Sequence, residues 1–167
     1  MEGGKLGDAD FILQIMDRLE FFGLFTNFEK RRLVEHYRHV IVCDEDETII
    51  EEGEDDCCFY VILSGRVQVR KGHHFTVAVL GPGEIFGEIS FLSKTPRAAT
   101  VSTLEETIVI QVNDRLFEKL DPETREKIKD KIIDKLIQRL VRMNGTLQKL
   151  LLGRSHGSHD YIAHEEL

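Results

Sequence analysis

A chain of 167 residues has the length of one domain, since domains usually run to about 100–200 residues. Hydrophobic residues form 41% of it, which is enough to build a buried core. Its 22 basic and 30 acidic residues give a formal net charge of −8. This charge excludes a general nucleic-acid binder, because such domains usually have a pI above about 9, and no basic block suits an anionic membrane.

The acidic residues are concentrated in one stretch between Asp44 and Asp56, which contains nine acids and no base. The rest of the chain is therefore close to neutral, and an anionic ligand bound elsewhere is compatible with the composition. Residues 44–47 lack the spaced ligands and the central glycine of a calcium-binding loop. We interpret them as a solvated turn.

The cysteines and the N-terminus indicate the compartment. Cys43, Cys57 and Cys58 are too few and too poorly spaced for a disulfide framework, and no CxxC pair is present to bind zinc. The first ten residues contain no apolar segment of the kind found in signal peptides. No run approaches the ~20 apolar residues of a membrane span. We therefore expect a reduced, cytoplasmic location.

Residues 1–39 are predicted to form N-terminal helices. Apolar residues between Asp10 and Leu19 recur three and four positions apart, as they do on one face of a helix. The pattern breaks at Phe22 and Gly23 and resumes at Phe28, where the helix is expected to restart.

Residues 40–112 are predicted to form short strands. Residues 40–42 and 59–63 are continuously apolar, and residues 66–70 alternate polar and apolar side chains, which is typical of strands. Gly65 and Gly72 follow such runs at positions where tight turns favour a positive φ. Several short strands at this spacing predict a β-sandwich or barrel.

Residues 81–101 interrupt these strands with a segment that is too long and too apolar for a hairpin connection. The spacing of its apolar residues predicts one helical turn from Glu88 to Ser93, packed on the barrel. Gly87 comes directly before it and would let a ligand approach the backbone closely. The free amides at the start of this helix would form an anion site.

Arg97 follows Pro96 and precedes two small residues, Ala98 and Ala99. A guanidinium group can donate two parallel hydrogen bonds to a phosphate, and Glu88 could accept hydrogen bonds from ribose hydroxyls. Together these residues predict a site for a phosphorylated sugar. An ion pair between Glu88 and Arg97 across a loop is an equally acceptable interpretation of the spacing.

The runs FGEIS (residues 86–90) and TPRAATV (residues 95–101) resemble the phosphate-binding cassette of cyclic nucleotide-binding domains. They are most similar to the cassettes of the regulatory subunits of cAMP-dependent protein kinase. Residues 50–54 and 59–69 also match the strands and turn glycines of this family, and the resemblance extends over about residues 19–152. It implies a mainly β fold with flanking helices: a jelly-roll-like β-roll (double-stranded β-helix) with N-terminal helices and a C-terminal lid helix.

The resemblance implies a role for each residue of the cassette, which spans residues 86–101. The amide of Gly87 and the side chain of Glu88 would bind the ribose 2′-hydroxyl. Arg97 would hold the cyclic phosphate together with the amides of Ser90 and Ala98. The implied ligand-binding residues are Gly87, Glu88, Ile89, Ser90, Arg97, Ala98 and Ala99. Relatives that favour cGMP often have Thr after the arginine, so Ala98 favours cAMP, with cGMP as the alternative ligand.

Residues 113–152 are predicted to form C-terminal helices, with a start signal at Asp121 and Pro122. The apolar residues of the longer helix follow a heptad spacing: Ile133, Leu136, Leu140, Met143, Leu147 and Leu150. This spacing fits either a short coiled coil, which would make a homodimer, or a helix lying on its own barrel. Asn144 and Gly145 predict an end or a bend, and residues 153–167 are predicted to be a disordered tail.

In the family the C-terminal helix closes as a lid over the base. The resemblance therefore implies Arg139 or Arg142 as the cap on the base, although both could be solvated helix charges. Phe91, Leu116 and Phe117 would be the apolar hinge contacts. We expect a single domain, residues 1–167, that senses a cyclic nucleotide and acts on an effector protein. The alternative is a nucleotide-free relative that serves as a protein-interaction or dimerisation module.

No arrangement of residues indicates catalysis. His73 and His74 are the only histidines of the strand region, and adjacent strand residues point to opposite faces, so they do not form the metal site of a cupin-type enzyme. His156 and His159 lack a carboxylate partner on a fixed scaffold. No Ser-His-Asp or Cys-His set stands out. We therefore predict no catalytic residue, no metal site and no cofactor.

Overall fold

The computed structural model describes residues 9–35 and 38–157, with side chains through residue 154. Three helical elements precede the strands: α1 (Ala9–Asp17), a 3-10 helix (Glu20–Phe22) and α2 (Asn27–Val34). Thr26 caps α2, because its hydroxyl accepts a hydrogen bond from the Glu29 amide at 3.2 Å, and the Glu29 carboxylate accepts one from the Thr26 amide at 2.7 Å. This reciprocal capping satisfies amides that a helix start leaves unpaired.

Within the described ranges, eight strands form two four-stranded antiparallel sheets. In chain order they are β1 (Val40–Cys43), β2 (Thr48–Ile50), β3 (Phe59–Ser64), β4 (Val67–Lys71), β5 (Phe75–Leu80), β6 (Ile85–Phe86), β7 (Thr100–Thr103) and β8 (Thr107–Val112). One sheet has the order β1-β8-β3-β6 and the other the order β2-β7-β4-β5. The predicted class, a mainly β roll with flanking helices, is confirmed.

A hydrophobic core cluster of the roll contains side chains from both sheets. Ile50, Val67 and Val101 come from one sheet, and Tyr60 and Phe86 come from the other. The rings of Tyr60 and Phe86 stack with centroids 4.9 Å apart and planes at 10°. Because Phe86 is the last residue of β6, this packing fixes the point at which the chain leaves the sheet for the next helix.

The chain leaves β6 into a short helix, α3 (Glu88–Ser93), and leaves β8 into α4 (Asp114–Lys119) and α5 (Pro122–Gly157). The Asn113 side chain caps α4 by accepting a hydrogen bond from the Leu116 amide at 2.8 Å. Asp121 caps α5 in the same way, by accepting from the Thr124 amide at 3.0 Å. The start signal recognised at Asp121 is thus confirmed.

The predicted end of the last helix is wrong. α5 continues through Asn144 and Gly145 and past residue 152 to Gly157, so the segment 153–157, predicted as part of a disordered tail, is helical. Each helical glycine costs only about 1 kcal/mol relative to alanine, and the leucines and lysine that follow Gly145 are good helix formers. The rest of the predicted tail, residues 158–167, lies outside the described residues.

The chain divides into two compact units, Met1–Ile132 and Ile133–Leu167. In the second unit the heptad residues Ile133, Leu140, Met143, Leu147 and Leu150 are exposed. Among the described residues, no helix combines the length and the apolar character needed to cross a bilayer.

A buried carboxylate joins α2 to the first turns of α5. Both oxygens of Glu29 accept hydrogen bonds from Lys127 Nζ at 2.9 Å, and the Glu29 side chain is almost fully buried. Burial raises the pKa of Glu29, but the hydrogen bonds from Lys127, the Thr26 amide and Thr124 outweigh burial, so its pKa lies below the ordinary value of 4.5. Glu29 is therefore ionised in the folded protein and depends on Lys127 for its charge partner.

Replacing Lys127 with methionine should lower the free energy of unfolding by about 3 kcal/mol at neutral pH, because it leaves a buried carboxylate without its charge partner. Since the folded-state pKa of Glu29 is depressed, the pair stabilises the protein above pH 4.5 and this contribution is lost as the pH falls through the folded-state pKa. Urea denaturation at neutral and acidic pH measures both effects.

Lys129→Met is the matched control, since Lys129 pairs at 3.1 Å with Glu126 and both side chains are exposed. Its expected cost is below about 1 kcal/mol, as for other surface pairs. Equal losses in the two variants, or a loss for Lys127→Met that does not shrink in acid, would contradict this account.

Candidate functional site

The cassette helix begins at a glycine that no other residue could replace without strain. Gly87 has φ +78° and caps α3 in the left-handed conformation, which favours glycine. A Cβ at this position would lie 2.7 Å from Arg97 Nη1, 2.9 Å from the Cys58 carbonyl oxygen and 3.1 Å from Ile50 Cδ1. The backbone at Gly87 and the side chain of Arg97 are therefore in direct contact, and glycine provides the space for it.

Arg97 is buried at the centre of the site, with 2% of its side chain exposed. Its Nη1 donates a hydrogen bond to the Gly87 carbonyl at 3.0 Å, and its Nη2 donates to the Asp56 carboxylate at 3.0 Å. The third guanidinium nitrogen, Nε, is buried and has no hydrogen-bond partner in the described part of the chain. The Nε atoms of Arg70 and Arg125 are buried and unpaired in the same way, but both side chains are partly exposed, whereas the whole side chain of Arg97 is buried. A buried polar group without a partner calls for an explanation.

The backbone of Arg97 is fixed by the loop between β2 and β3. The Arg97 amide donates to the Glu54 carbonyl at 2.9 Å, and the Gly53 amide donates to the Arg97 carbonyl at 2.8 Å. The same loop supplies Asp56. The arginine is thus held through both its main chain and its side chain by one segment, which orients the guanidinium group before any ligand arrives.

Asp56 was not singled out in the sequence, yet it forms the ion pair that the structure gives Arg97. Burial raises the pKa of Asp56, but hydrogen bonds from Cys58 and Arg97 outweigh burial, so the pKa lies below its ordinary value. Asp56 is therefore ionised at neutral pH and offsets part of the arginine charge. Its side chain is 42% exposed, so water screens the pair.

The neighbouring thiol adds no charge to the site. Burial raises the pKa of Cys58 to about 12, with a further contribution from Asp56. Cys58 is therefore neutral at physiological pH and contributes an apolar side chain beside Arg97. It packs against the inter-sheet core together with Ile49, Val69 and Ala78.

The other predicted cassette residues occupy different environments. Glu88 and Ser90 are buried, and the Ser90 hydroxyl lies 3.4 Å from the Pro96 carbonyl, which links α3 to the segment that carries Arg97. Ile89 and Ala98 are exposed, and Ala99 is half-buried. The structure thus brings Gly87 together with Arg97 and Ser90 together with Pro96.

The predicted base cap stays a prediction. Arg139 and Arg142 lie on α5 in the second unit.

Within the described residues, no three His, Cys, Asp or Glu side chains are grouped so that they could hold a metal ion.

The cassette helix, α3, packs against α4 through side chains. The ring of Phe91 meets the ring of Phe59 at 4.9 Å and the ring of Phe117 at 5.4 Å. Lys94, directly after α3, pairs with Asp114 at 2.7 Å and lies over Phe91. Of the three predicted hinge residues, Phe91 and Phe117 are thus in contact and Leu116 is buried; their role as a hinge stays a prediction.

Known proteins have sequences similar to this chain. The family model of the cyclic nucleotide-binding domain matches residues 40–121. A cAMP-dependent protein kinase regulatory subunit from Dictyostelium discoideum is 32% identical over 104 residues, which cover 53% of this chain and 32% of that protein. The chain spans about a third or less of the length of the curated relatives it matches.

Solved structures show the same fold. A catabolite activator protein from Thermus thermophilus superposes with a TM-score of 0.64 at 23% identity, over 78% of this chain and 62% of that one. A cyclic nucleotide-binding domain from Methylobacillus flagellatus KT superposes with a TM-score of 0.58 at 26% identity, over 93% of this chain and 83% of that one. The sequence match to the cyclic nucleotide-binding domain family thus falls on residues 40–121, which hold both sheets and the cassette.

Proposed function

We propose that this chain is a regulatory domain that binds a cyclic nucleotide, with the cyclic phosphate on Arg97. The proposal rests on the guanidinium group of Arg97, which is buried, contacts the Gly87 carbonyl of the cassette and has an Nε without a hydrogen-bond partner in the described residues. Its only charged partner there, Asp56, is partly exposed to water. A phosphate oxygen at Nε would satisfy the unpaired donor and stabilise the buried charge.

The remaining cassette residues support the same ligand. Glu88 carries a carboxylate next to Gly87, and a carboxylate accepts hydrogen bonds from ribose hydroxyls. The apolar side chains of Val69 and Ala78, packed on the inter-sheet core, provide a surface suited to the flat face of a base. Ligand sites commonly combine an apolar wall with a few polar groups of this kind.

Calorimetric titration of the wild-type protein with cAMP and with cGMP tests the proposal. We expect saturable binding of one nucleotide per chain, with cAMP bound more tightly. Folded protein that binds neither nucleotide would overturn the proposal and favour the alternative, a nucleotide-free interaction module. One observation favours that alternative: Asp56 already pairs with Arg97, so the arginine is partly satisfied without a ligand.

The preference for cAMP rests on Ala98. Ala98→Thr adds a hydroxyl at an exposed position, where it disturbs no packing and could donate to a guanine. One such hydrogen bond contributes about 1 kcal/mol, so the variant should bind cGMP about fivefold more tightly and cAMP unchanged, as measured by calorimetry. Ala99→Thr is the control, and an equal gain in both variants would show that the hydroxyl does not act at position 98.

Binding is proposed to move the C-terminal helix. A displacement of α3 on phosphate binding would be transmitted to α4 through the contact between Phe91 and Phe117 and through the ion pair between Lys94 and Asp114. α5 follows α4 after two residues. Such coupling requires the protein to bind the nucleotide more tightly in one of two conformations, which differ in the placement of the helix. The movement would present a new surface to an effector protein.

The cap on the base is the point at which the nucleotide would act on α5 directly. If Arg139 is the cap, Arg139→Ala should weaken cAMP binding about tenfold, as expected for one stacking or charged contact, and Arg142→Ala should leave it unchanged. The reverse result assigns the cap to Arg142. Unchanged calorimetric affinity in both variants contradicts an arginine cap from this helix.

The exposed heptad residues support a second role for α5, the formation of a homodimer. Leu140, Met143 and Leu147 are all more than half exposed and repeat at a coiled-coil spacing. Light scattering should give the mass of a dimer for the wild-type protein, and Leu140→Glu should convert it to a monomer. A wild-type monomer at all concentrations would exclude this role.

A further inference from the structure

A second cationic site lies on the first unit, away from the cassette residues. A cleft of about 250 Å³ is lined by residues of α2, of the segment that leads into β1, and of α4. Its charged and titratable lining residues are Arg32, Glu35, Arg38, His39, Arg115 and Lys119. Four of these carry a permanent positive charge and one a negative charge, on a chain whose net charge is −8.

The cations converge because the fold holds them in place. Arg32 donates a hydrogen bond to the Lys119 carbonyl at 3.2 Å, which fixes α2 against the end of α4, and it lies 3.7 Å from Glu35. The floor of the cleft includes the buried side chains of Leu116 and Leu120. Like charges would not be gathered at one apolar hollow for stability, since they repel one another.

The half-buried imidazole of His39 responds to this accumulation of charge. Burial lowers the pKa of His39, and the positive charges of Lys119 and Arg38 lower it further. Among the described residues, the charged groups that line the cleft are the cations of α2, of the segment before β1 and of α4, together with the carboxylate of Glu35. Two cations of the cleft thus lower the pKa of His39 in addition to the larger effect of burial.

Size and charge together define the ligand. Clefts for drug-sized ligands usually measure about 300–1,000 Å³, so this smaller cleft suits a single anionic group on a short stem better than a whole nucleotide. Arginine clusters are the usual recognition sites for phosphate monoesters, because each guanidinium group can donate two hydrogen bonds to a dianion. We propose that this cleft is a second anion site, which binds a phosphate monoester.

The monoester could belong to a phosphorylated side chain of a partner protein or to a small free metabolite, and the probes distinguish the two. NMR titration follows the His39 imidazole while inorganic phosphate or a short phosphoserine peptide is added to the full chain at constant ionic strength. Inorganic phosphate should bind with a dissociation constant on the order of 1 mM and raise the pKa of His39. A peptide that binds at least tenfold more tightly than phosphate, with no binding of its unphosphorylated form, indicates a protein partner. Equal affinities indicate a free metabolite.

The variants separate this site from general charge attraction. Arg115→Ala combined with Lys119→Ala removes two exposed cations of the cleft and should weaken phosphate binding at least tenfold. Lys71→Ala, which removes an exposed cation at the end of β4, should change nothing, and circular dichroism verifies the fold of each variant. Arg97→Ala should leave phosphate binding at the cleft unchanged. Loss of binding at the cleft can therefore be distinguished from loss of cyclic nucleotide binding at the cassette. An unmoved His39 resonance, or equal losses in the cleft variant and in Lys71→Ala, overturns the proposal.

Discussion

Replacing Arg97 with alanine should lower the affinity for cAMP at least about 100-fold. The guanidinium group would donate charged hydrogen bonds to the cyclic phosphate, and each such bond contributes about 1.5–3 kcal/mol. Losing two of them corresponds to at least 3 kcal/mol, or about two orders of magnitude in affinity. Isothermal titration calorimetry of the two proteins with cAMP measures the difference.

The fold should survive this substitution. Asp56 loses its partner, but its carboxylate is 42% exposed and water can solvate it. Arg66→Ala is the matched control, because Arg66 forms an exposed ion pair with Glu105 at 3.1 Å outside the cassette. The cAMP affinity of this variant should stay within twofold of wild type. Comparable losses in the two variants would mean that Arg97 acts only through general electrostatics.

Gly87→Ala should damage both stability and binding. Alanine at φ +78° is strained, and its Cβ would press on Arg97 Nη1 and on the Cys58 carbonyl. Backbone strain of this kind costs about 1–3 kcal/mol, and the steric contact adds to it. Because Nη1 is displaced from the Gly87 carbonyl, we expect cAMP affinity to fall at least about tenfold in addition to the loss of stability.

Gly72→Ala separates strain from steric contact. Gly72 also has a positive φ, +61°, but a Cβ there would meet nothing within 4 Å. Its substitution should cost only the backbone strain, about 1 kcal/mol, and should leave cAMP binding unchanged. Urea denaturation and calorimetry on both variants give the comparison. Equal costs at the two positions would show that the close approach of Arg97 to Gly87 is not important.

The cassette helix could be predicted from the sequence because its signals are local. The glycine before it and the apolar spacing within it fall inside one short segment, and the predicted helix from Glu88 to Ser93 has the bounds that the structure gives it. The strands were predictable for the same reason. Alternation and turn glycines act over a few residues, and no distant contact is needed to recognise them.

The partner of Arg97 was not predictable in this way. Asp56 lies 41 residues before Arg97, and the pairing depends on how the loop after β2 folds back on the cassette. In the sequence Asp56 is one of many acids in the same stretch, which makes its carboxylate indistinguishable from those that face water. The cationic cleft could not be predicted for the same reason, because its lining includes Arg32, Arg38 and Arg115, which come from three separate segments.

Asn144 and Gly145 show the opposite case, because they are a local signal for an end or a bend and yet α5 continues through them. Gly145 weakens a helix by about 1 kcal/mol, but the residues on both sides favour helix strongly enough to continue it. A Cβ at Gly145 would meet nothing within 4 Å, so packing does not require glycine there. The glycine is tolerated rather than used to stop the helix.

We expect the unpaired Nε of Arg97 to bind the phosphate of a cyclic nucleotide. The most direct test is the ¹H–¹⁵N resonance of the Arg97 Nε–H group, assigned by its disappearance in Arg97→Lys and followed during titration with cAMP and with adenosine, which has no phosphate. We expect the resonance to shift at saturating cAMP and to stay in place with adenosine. Saturation with cAMP that leaves this resonance unmoved, or no binding of cAMP by the folded protein, would contradict the claim.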